Sequence, residues 1–296
     1  MWRPVWWPSW VGIGLLYVLG RMPAPVLAAL GDLVGLLLHS LVPGRRAVAQ
    51  RNVDACFPEL PERQRQRLVR RHFRHLGRSL FDTGIFWWAS ARRLRRLVRI
   101  QGGAPYQALR QQGRPIILLV PHLLAVQAGL ALALEAPIAN YYRSPDNPVF
   151  AYMYARRMSR FGAALLPRSA GIRVTLRVLQ SLRSLYYLPD QDMGREHAVF
   201  VPFFGVSAAT TTALARLARV SGAAVVPCFP RQRGGGRYEL LLGEPLRDFP
   251  TGNLVADACR MNGEIERAVR LLPEQYLWVH KRFKTRPDPA APNFYA

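Results

Sequence analysis

The sequence is short of cysteine, and several common motifs are missing from it. Only 3 of its 296 residues are cysteine, at Cys56, Cys228 and Cys259, and no C-x-x-C spacing occurs. This pattern excludes a disulfide framework and a zinc module, and it suits a reducing compartment. No G-K-[ST] follows the glycine run Gly234–Gly236, and no G-x-S-x-G occurs, so neither a phosphate-binding loop nor a serine hydrolase is supported.

Acidic residues and lysine are also scarce. The 18 acidic residues face 41 basic ones, which gives a net charge of +23. Lys281 and Lys284 are the two lysines, so 39 of the basic residues are arginine, whose guanidinium favours phosphate and carboxylate partners. A hydrophobic content of 50% excludes a disordered chain. Three classes remain: a nucleic-acid binder, a membrane-surface protein, or an enzyme with an acidic substrate.

The N-terminus favours a membrane. Two apolar runs, Val11–Gly20 and Ala24–Val42, follow a cluster of tryptophans formed by Trp2, Trp6, Trp7 and Trp10. The second run approaches the length that spans a bilayer core, and indole rings prefer the membrane interface. Residues 1–44 are therefore predicted to be a membrane anchor that either spans the bilayer or lies in its interface. A buried core hairpin is the alternative, because Asp32 interrupts the second run. A nucleic-acid binder would leave this segment unexplained.

Residues 45–296 are predicted to form one α/β domain with a mixed, largely parallel central sheet flanked by helices. The run Pro115–Val120 is continuously apolar, as expected of a strand buried on both faces. Further strands are expected at Leu185–Leu188, Ala223–Phe229 and Tyr238–Leu242, and Gly234–Gly236 is expected to be a hairpin tip. The predicted helices are Glu62–Leu97, Ala125–Leu134, Phe150–Phe161, Gly171–Leu182, Thr211–Val220 and Asn253–Leu271.

His122 is the first candidate for a catalytic residue. It follows the buried strand directly, and ligands bind at this edge of open α/β sheets. A lone histidine is more often structural, so position alone does not decide its role. The other histidines show no metal-ligand spacing: His72 and His75 lie three residues apart on a helix, but no third ligand is evident. No metal site is therefore predicted.

Several separated blocks resemble one family over nearly the whole chain. The region of His122 resembles the H-x-x-x-x-D/E block of the glycerolipid-type acyltransferase superfamily. The stretch Tyr187–Gly205 (YLPDQDMGREHAVFVPFFG) resembles the signature of the bacterial lipid A late acyltransferases, the lauroyl and myristoyl transferase family. The shorter blocks RNVDACFP, YRSPDNP, AATTT, PCFPR and PEQYLWVHKRFKTRP agree with it.

The resemblance implies an acyltransferase on the cytoplasmic face of the bacterial inner membrane. Such an enzyme moves a fatty acyl chain from acyl carrier protein to a hydroxyl of a lipid A precursor, and it contacts inner-membrane phospholipid. It requires no metal or redox cofactor. A neutral imidazole at His122 can take the hydroxyl proton as general base, and a carboxylate on its other nitrogen would fix the ring. A relative that acts on another lipid acceptor, or a catalytically silent lipid-binding relative, remains open.

Gln127 departs from the family pattern, because it stands where the motif has an acid. Its amide oxygen can accept a hydrogen bond from the His122 ring, but it brings no negative charge. Three explanations are open: an engineered substitution that slows turnover, a natural residue with another carboxylate doing the work, or a chain that binds without catalysis. The first is favoured, because every other block is intact. On this interpretation Gln127→Glu raises acyl transfer by orders of magnitude.

The remaining candidates lie in the other blocks. Asp190 is expected to be a positioning element or the substitute carboxylate, and Asp192 is expected near the substrate, although a simple turn explains the pair equally well. Arg143, Arg168 and, more weakly, Arg173 are candidates for gripping a sugar phosphate, since a guanidinium fork suits phosphate oxygens. The C-terminal residues Lys281, Arg282 and Lys284 are expected either to meet headgroups and the carrier protein or to form a solvated tail.

Overall fold

The computed structural model of the chain describes residues 3–196 and 198–296, so Trp2 and His197 lie outside the described residues. The α-helices of the described chain are α1 (Trp7–Leu19), α2 (Ala24–Leu41), α3 (Pro43–Cys56), α4 (Glu62–Trp88), α5 (Ala91–Leu97), α6 (Gly103–Gln111), α7 (Pro148–Met158), α8 (Ile172–Gln180), α9 (Ala213–Ser221) and α10 (Leu254–Leu271). The strands are β1 (Val98–Gln101), β2 (Ile116–Leu119), β3 (Ile138–Tyr142), β4 (Ala164–Pro167), β5 (Ser184–Tyr187), β6 (Ala198–Phe203), β7 (Val206–Thr211), β8 (Ala224–Arg233) and β9 (Arg237–Leu242).

Seven strands form the central sheet, in the order β1-β9-β8-β2-β5-β3-β4. Every pair in it is parallel except β8–β9, which is an antiparallel hairpin across Gly234–Gly236. The α/β class with a largely parallel sheet and flanking helices is thus confirmed. A separate two-stranded antiparallel ribbon, β6–β7, was not predicted.

The central strand β2 is apolar because both of its faces are covered. Ile116 and Leu118 belong to one hydrophobic cluster and Ile117 and Leu119 to the other, so the two faces of the sheet each have a core. All four side chains are buried. The alternation explains why this segment is a continuous apolar run in the sequence, as parallel strands between helix layers are.

The helix predictions need two corrections. The predicted helix Glu62–Leu97 is two helices, because the chain leaves α4 at Ala89 in an extended conformation and Ser90 accepts a hydrogen bond from the Arg93 backbone N–H to cap α5. The predicted α-helix at Ala125–Leu134 is a 3-10 segment, Val126–Leu134. The short strands β1, β3 and β4 and the helices α3 and α6 were not predicted.

The first two helices pack on α4, along a seam of glycines. A Cβ on Gly35 would lie 2.1 Å from the Phe73 carbonyl oxygen, and one on Gly77 would lie 2.1 Å from the Gly31 carbonyl oxygen. The two backbones are therefore close enough that only glycine fits. Asp32, which interrupts the apolar run, pairs with two arginines of α4 at 2.5–2.6 Å. Buried residues of α1 and α2 also join the core cluster of the sheet.

The outer face of α1 and α2 carries exposed apolar side chains. By length and composition, α2 is the one helix in the described residues that could cross a membrane, and 22% of it is buried. Exposed members recur every three or four residues on both helices: Val11, Leu15 and Val18 on α1, and Val26, Leu30, Leu33, Leu37 and Leu41 on α2. We call these eight residues the outer apolar stripe. Each helix therefore presents one face to the protein and the opposite face outward.

Candidate active site

His122 and Asp190 meet because the register of two neighbouring strands brings them together. Leu119 at the end of β2 is paired with Tyr187 at the end of β5. His122 lies three residues beyond Leu119, and Asp190 lies three residues beyond Tyr187. The strands are parallel, so both residues emerge at the carboxyl edge of the sheet, where open α/β folds bind ligands.

Asp190 holds His122 through two hydrogen bonds. The Nδ1 atom of the ring lies 2.5 Å from Oδ1 of Asp190, and the backbone N–H of His122 donates to Oδ2 at 2.8 Å. The Asp190 side chain is fully buried, whereas 22% of the His122 side chain is exposed. Since Nδ1 faces a carboxylate, the proton of the neutral ring is on Nδ1 and the lone pair is on Nε2. No described residue is hydrogen-bonded to Nε2.

The surroundings keep the carboxyl of Asp190 ionised. Burial raises its pKa, but the electrostatic interaction with the His122 ring and the two hydrogen bonds from that residue outweigh burial, and the pKa lies below its ordinary value. The phenol of Tyr276 interacts with the same carboxyl. Burial first, and then the Asp190 charge, raises the pKa of that phenol well above its ordinary value, so it stays a donor.

The hydrogen bond expected between Gln127 and the His122 ring is not formed. Its amide Nε2 donates instead to the hydroxyl of Thr83 on α4, at 2.8 Å. Its Oε1 is buried, and no described residue donates to it. The reason is the 3-10 segment that follows Ala125, which turns Gln127 toward α4 while Asp190 occupies the Nδ1 side of the ring.

Asp192 ties the loop after β5 to the C-terminal segment. Its Oδ1 accepts hydrogen bonds from the Thr285 hydroxyl and the Gly194 backbone, and its Oδ2 accepts one from the Thr285 backbone. The side chain is buried. With both oxygens engaged by the protein, Asp192 is placed to position this loop, and the expected role beside the substrate finds no direct support in these contacts.

The candidate arginines lie at the same edge of the sheet but further along it. Arg143 follows β3 and Arg168 follows β4, and these strands pair in parallel with Tyr142 opposite Pro167. Both side chains are exposed, and Arg143 lies 3.8 Å from Asp146. The guanidinium of Arg168 contacts the sulfur of Met193. Met193 lies in the same loop as Asp190, three residues after it. Arg173 is exposed in the first turn of α8.

The C-terminal block contributes residues that the sequence analysis missed. A short antiparallel pairing joins Leu123 to Tyr276, and the Leu277 backbone N–H donates to the His122 carbonyl at 3.0 Å. This brings Tyr276 and His280 to the carboxyl edge of the sheet, next to His122. The block PEQYLWVHKRFKTRP was noted only for its resemblance and its basic residues, and no local pattern in it points to the sheet edge.

Arg282 is a correction within that block. It was expected either at the surface, to meet headgroups or a carrier, or in a solvated tail, but its side chain is buried. It donates to the Ala209 carbonyl at 2.7 Å and to the Thr210 hydroxyl at 3.0 Å. It therefore fastens the C-terminal segment to β7. As for metal ligands, the described residues contain no group of three or more histidine, cysteine, aspartate or glutamate side chains that could hold an ion.

Comparison with known proteins identifies the family. The model of the bacterial lipid A biosynthesis acyltransferases matches residues 2–285. The chain is 34% identical to the lipid A biosynthesis lauroyltransferase of Escherichia coli (strain K12), over 97% of this chain and 94% of that protein. It is 33% identical to the myristoyltransferase of the same strain over 96% and 89%, and 31% identical to the palmitoleoyltransferase over 96% and 94%.

The match extends over the N-terminal helices, the sheet and the C-terminal block alike. At the carboxyl edge of its sheet the chain holds a histidine that is hydrogen-bonded to a carboxylate. The chain therefore belongs to the bacterial lipid A biosynthesis acyltransferase family, and it is an acyltransferase.

Proposed function

We propose that this chain transfers a fatty acyl group from acyl carrier protein to a hydroxyl of a lipid A precursor, with His122 as general base. The observation that carries the proposal is the His122–Asp190 pair, in which Nδ1 is bound to a carboxylate and Nε2 is free of described partners. A ring fixed in this way offers its lone pair to a substrate, which is what a general base requires.

The reaction needs one proton to move twice. The hydroxyl oxygen of the acceptor attacks the carbonyl carbon of the thioester, a C–O bond forms, and Nε2 of His122 takes the hydroxyl proton. The tetrahedral intermediate then expels the thiolate by breaking the C–S bond, and His122 returns the proton to sulfur. The products are an ester and a free thiol. During the step Asp190 stabilises the imidazolium, as a buried carboxylate does in other histidine-dependent acyl transfers.

Asp190 also explains why the chain carries Gln127 at the acid position of the motif. A second carboxylate would be redundant on a ring whose Nδ1 is already bonded to Asp190. Of the three explanations for Gln127, the geometry favours a residue that leaves the carboxylate role to another position. In this assignment Gln127 is a positioning residue that links the 3-10 segment to Thr83 of α4.

For the acceptor, we assign phosphate recognition to Arg168 and Arg143, with a lesser contribution from Arg173. Arg168 and Arg143 follow paired strands, and the backbone N–H of Arg168 donates to the Tyr142 carbonyl at 3.0 Å. The two guanidinium groups are thus at one edge with the catalytic pair, as the recognition of an anionic sugar phosphate requires. Another anionic lipid acceptor would use the same arginines, so the assay below compares acceptors.

For the donor, charge supports acyl carrier protein, whose acidic surface would be attracted to a chain of net charge +23. Lys284 and Lys281 belong to the segment that packs against the catalytic edge. A carrier protein docked there would place its thioester near His122. No cofactor is assigned to the reaction.

For location, we propose that the outer apolar stripe of α1 and α2 lies in the inner membrane, at its cytoplasmic face. The arginines of α4 recur at helical spacing, at Arg67, Arg71, Arg74 and Arg78. Arg74 and Arg78 pair with Asp32 of α2, and the exposed Arg67 and Arg71 would meet anionic phospholipid headgroups. Because the opposite faces of α1 and α2 pack on α4, both helices are placed to lie in the interface with their outer faces in the acyl layer.

The proposed activity is tested with the purified chain in detergent. Acyl transfer is measured with acyl-loaded carrier protein and acyl coenzyme A as donors, and with a lipid A precursor and a glycerophospholipid as acceptors. We expect transfer from the carrier protein to the lipid A precursor, and a loss of about 10²- to 10⁴-fold in His122→Ala, the usual contribution of a general base.

Other outcomes of this assay have defined meanings. Preference for a glycerophospholipid would replace the acceptor, and preference for coenzyme A would replace the donor. Binding of the precursor without any transfer would identify a silent lipid-binding relative. Full activity in His122→Ala would contradict the role of His122.

The membrane proposal is tested separately. The double variant Leu33→Asp and Leu37→Asp should move the chain from the membrane pellet to the supernatant, because two buried charges oppose insertion of the stripe. Leu271→Asp is the matched control, since Leu271 is an exposed leucine of α10 outside the stripe. Equal release by the control, or unchanged pelleting of the double variant, would contradict the assignment.

A further inference from the structure

A second imidazole, that of His280, is tied to the same loop as His122. The backbone N–H of Asp192 donates to Nε2 of His280 at 3.1 Å, while Asp190 in that loop holds the ring of His122. Two residues of chain span at most about 7 Å, so the two rings are anchored to points close together. The Leu277 backbone, which bonds the His122 carbonyl, also accepts a hydrogen bond from the His280 backbone N–H.

The hydrogen bonds fix the tautomer of His280. Since Nε2 accepts from a backbone amide, it carries the lone pair, and the neutral ring has its proton on Nδ1. The ring is neutral because burial, and then the electrostatic interaction with His122, lowers the pKa of His280 to about 4, and Lys284 and Arg282 add to this. No described residue accepts a hydrogen bond from Nδ1, and the side chain is half-buried, so this N–H is available to a substrate.

The orientation of the ring is set in advance. Asp192 cannot shift freely, because both of its carboxylate oxygens bond Thr285 and one also bonds Gly194. The C-terminal segment and the loop after β5 are thus fastened to each other on both sides of His280. A donor held in this way needs no rearrangement when charge develops in front of it, which is the condition for strong electrostatic stabilisation.

The chemistry of the proposed function lacks one element that this N–H supplies. When the acceptor hydroxyl attacks the thioester, negative charge collects on the carbonyl oxygen, and a donor must meet it there. We propose that the Nδ1–H of His280 donates a hydrogen bond to this oxygen, so that His280 is a catalytic oxyanion donor beside the base His122. A neutral histidine serves as an electrophile of this kind in another enzyme fold.

The inference rests on the proposed function and adds no further proton transfer to it. The carbonyl oxygen accepts the hydrogen bond while it carries the negative charge, and it re-forms the C=O bond when the C–S bond breaks. The proton of His280 stays on Nδ1 throughout. His280 therefore has a different task from His122, which exchanges a proton at Nε2.

Two amide variants separate this role from a structural one. His280→Asn places an N–H₂ donor near the position of Nδ1 but loses the acceptor for the Asp192 amide. His280→Gln reaches the position of Nε2 and keeps an acceptor for Asp192, but it presents no donor at Nδ1. The assay measures kcat and KM with acyl-loaded carrier protein, on the full chain, after the wild type has been shown to transfer.

We expect His280→Gln to lose about 10²- to 10³-fold in kcat, the usual cost of one oxyanion donor, with KM nearly unchanged. His280→Asn should retain at least tenfold more kcat than His280→Gln, a difference that reports the donor. A His280→Gln variant equal to or better than His280→Asn would show that the bond to Asp192 is what matters, and would overturn the proposal. Activity of the wild type in that case leaves the proposed function standing, whereas an inactive wild type refutes the function itself.

Nitrogen NMR of the wild-type chain gives a second test that needs no variant to fold. The proposal expects a neutral His280 ring with its proton on Nδ1 between about pH 5.5 and pH 8, well above the lowered pKa. A proton on Nε2, or a charged ring in that range, would overturn it.

Discussion

Asp190 and Asp82 are both buried carboxyls, but they face different partners. Asp190 accepts hydrogen bonds from the ring and the backbone of His122 at the sheet edge. Asp82, in α4, accepts from the phenol of Tyr238 at 2.5 Å and from the amide of Gln232 at 2.9 Å. Burial raises the pKa of Asp82 to about 7, since these neutral donors do not compensate for it, whereas the pKa of Asp190 is lowered.

The difference shows what keeps a buried carboxyl charged in this fold. A hydrogen-bond donor that can itself become positively charged keeps the carboxyl ionised, whereas a neutral donor does not. Asp190 is therefore ready to stabilise the imidazolium of His122. Asp82 is partly protonated near neutral pH and links α4 to β9 through its hydrogen bond with Tyr238.

The largest expected effect is on activity. Asp190→Asn should lower kcat by about 10³- to 10⁴-fold, as the loss of a triad carboxylate does, because the amide can no longer stabilise the imidazolium or enforce the tautomer. The measurement is steady-state acyl transfer. Asp82→Asn is the matched buried control and should keep most of the wild-type kcat, because the hydrogen-bond partners of Asp82, Tyr238 and Gln232, are not those of Asp190. Equal losses in the two variants would remove the distinction between the carboxyls.

The next effect is on stability, and its sign follows from the raised pKa of Asp82. Between about pH 4 and pH 7 the folded chain holds a proton on Asp82 that the unfolded chain has released, so the free energy of unfolding falls as pH rises, by up to about 4 kcal/mol. Thermal unfolding across this range, compared with Asp82→Asn, isolates the contribution. The same slope in both proteins would show that Asp82 titrates normally.

The smallest effect is expected from Gln127→Glu. Because Asp190 already occupies Nδ1 of His122, a carboxylate at position 127 should change kcat by less than about tenfold, the size of a modest electrostatic perturbation. The sequence alone leads to the opposite expectation, a gain of orders of magnitude. That gain, if measured, would return the motif position to the catalytic pair and reduce Asp190 to a structural residue.

Much of the fold follows from local patterns in the sequence. The buried run of β2 and the glycine tip between β8 and β9 are visible because they depend on apolar continuity and on turn residues. The strands β3 and β4 are not visible in the sequence. Each has only four or five residues and is only partly buried, so its apolar residues form no periodic pattern.

The site could be predicted only in part. Position at a strand end identifies His122 and Asp190, but which acid serves the ring depends on the register of β2 with β5. The contributions of Tyr276 and His280 depend on a pairing between segments more than 150 residues apart. No local property of either segment encodes that contact.

The most direct test of the central claim asks whether position 127 can replace Asp190. Acyl transfer is measured for Asp190→Asn alone and for Asp190→Asn combined with Gln127→Glu, on the same lipid A precursor and donor. We expect the double variant to be as slow as Asp190→Asn alone, because the side chain at position 127 is directed to Thr83 and not to the ring. Recovery of the wild-type rate in the double variant would contradict it.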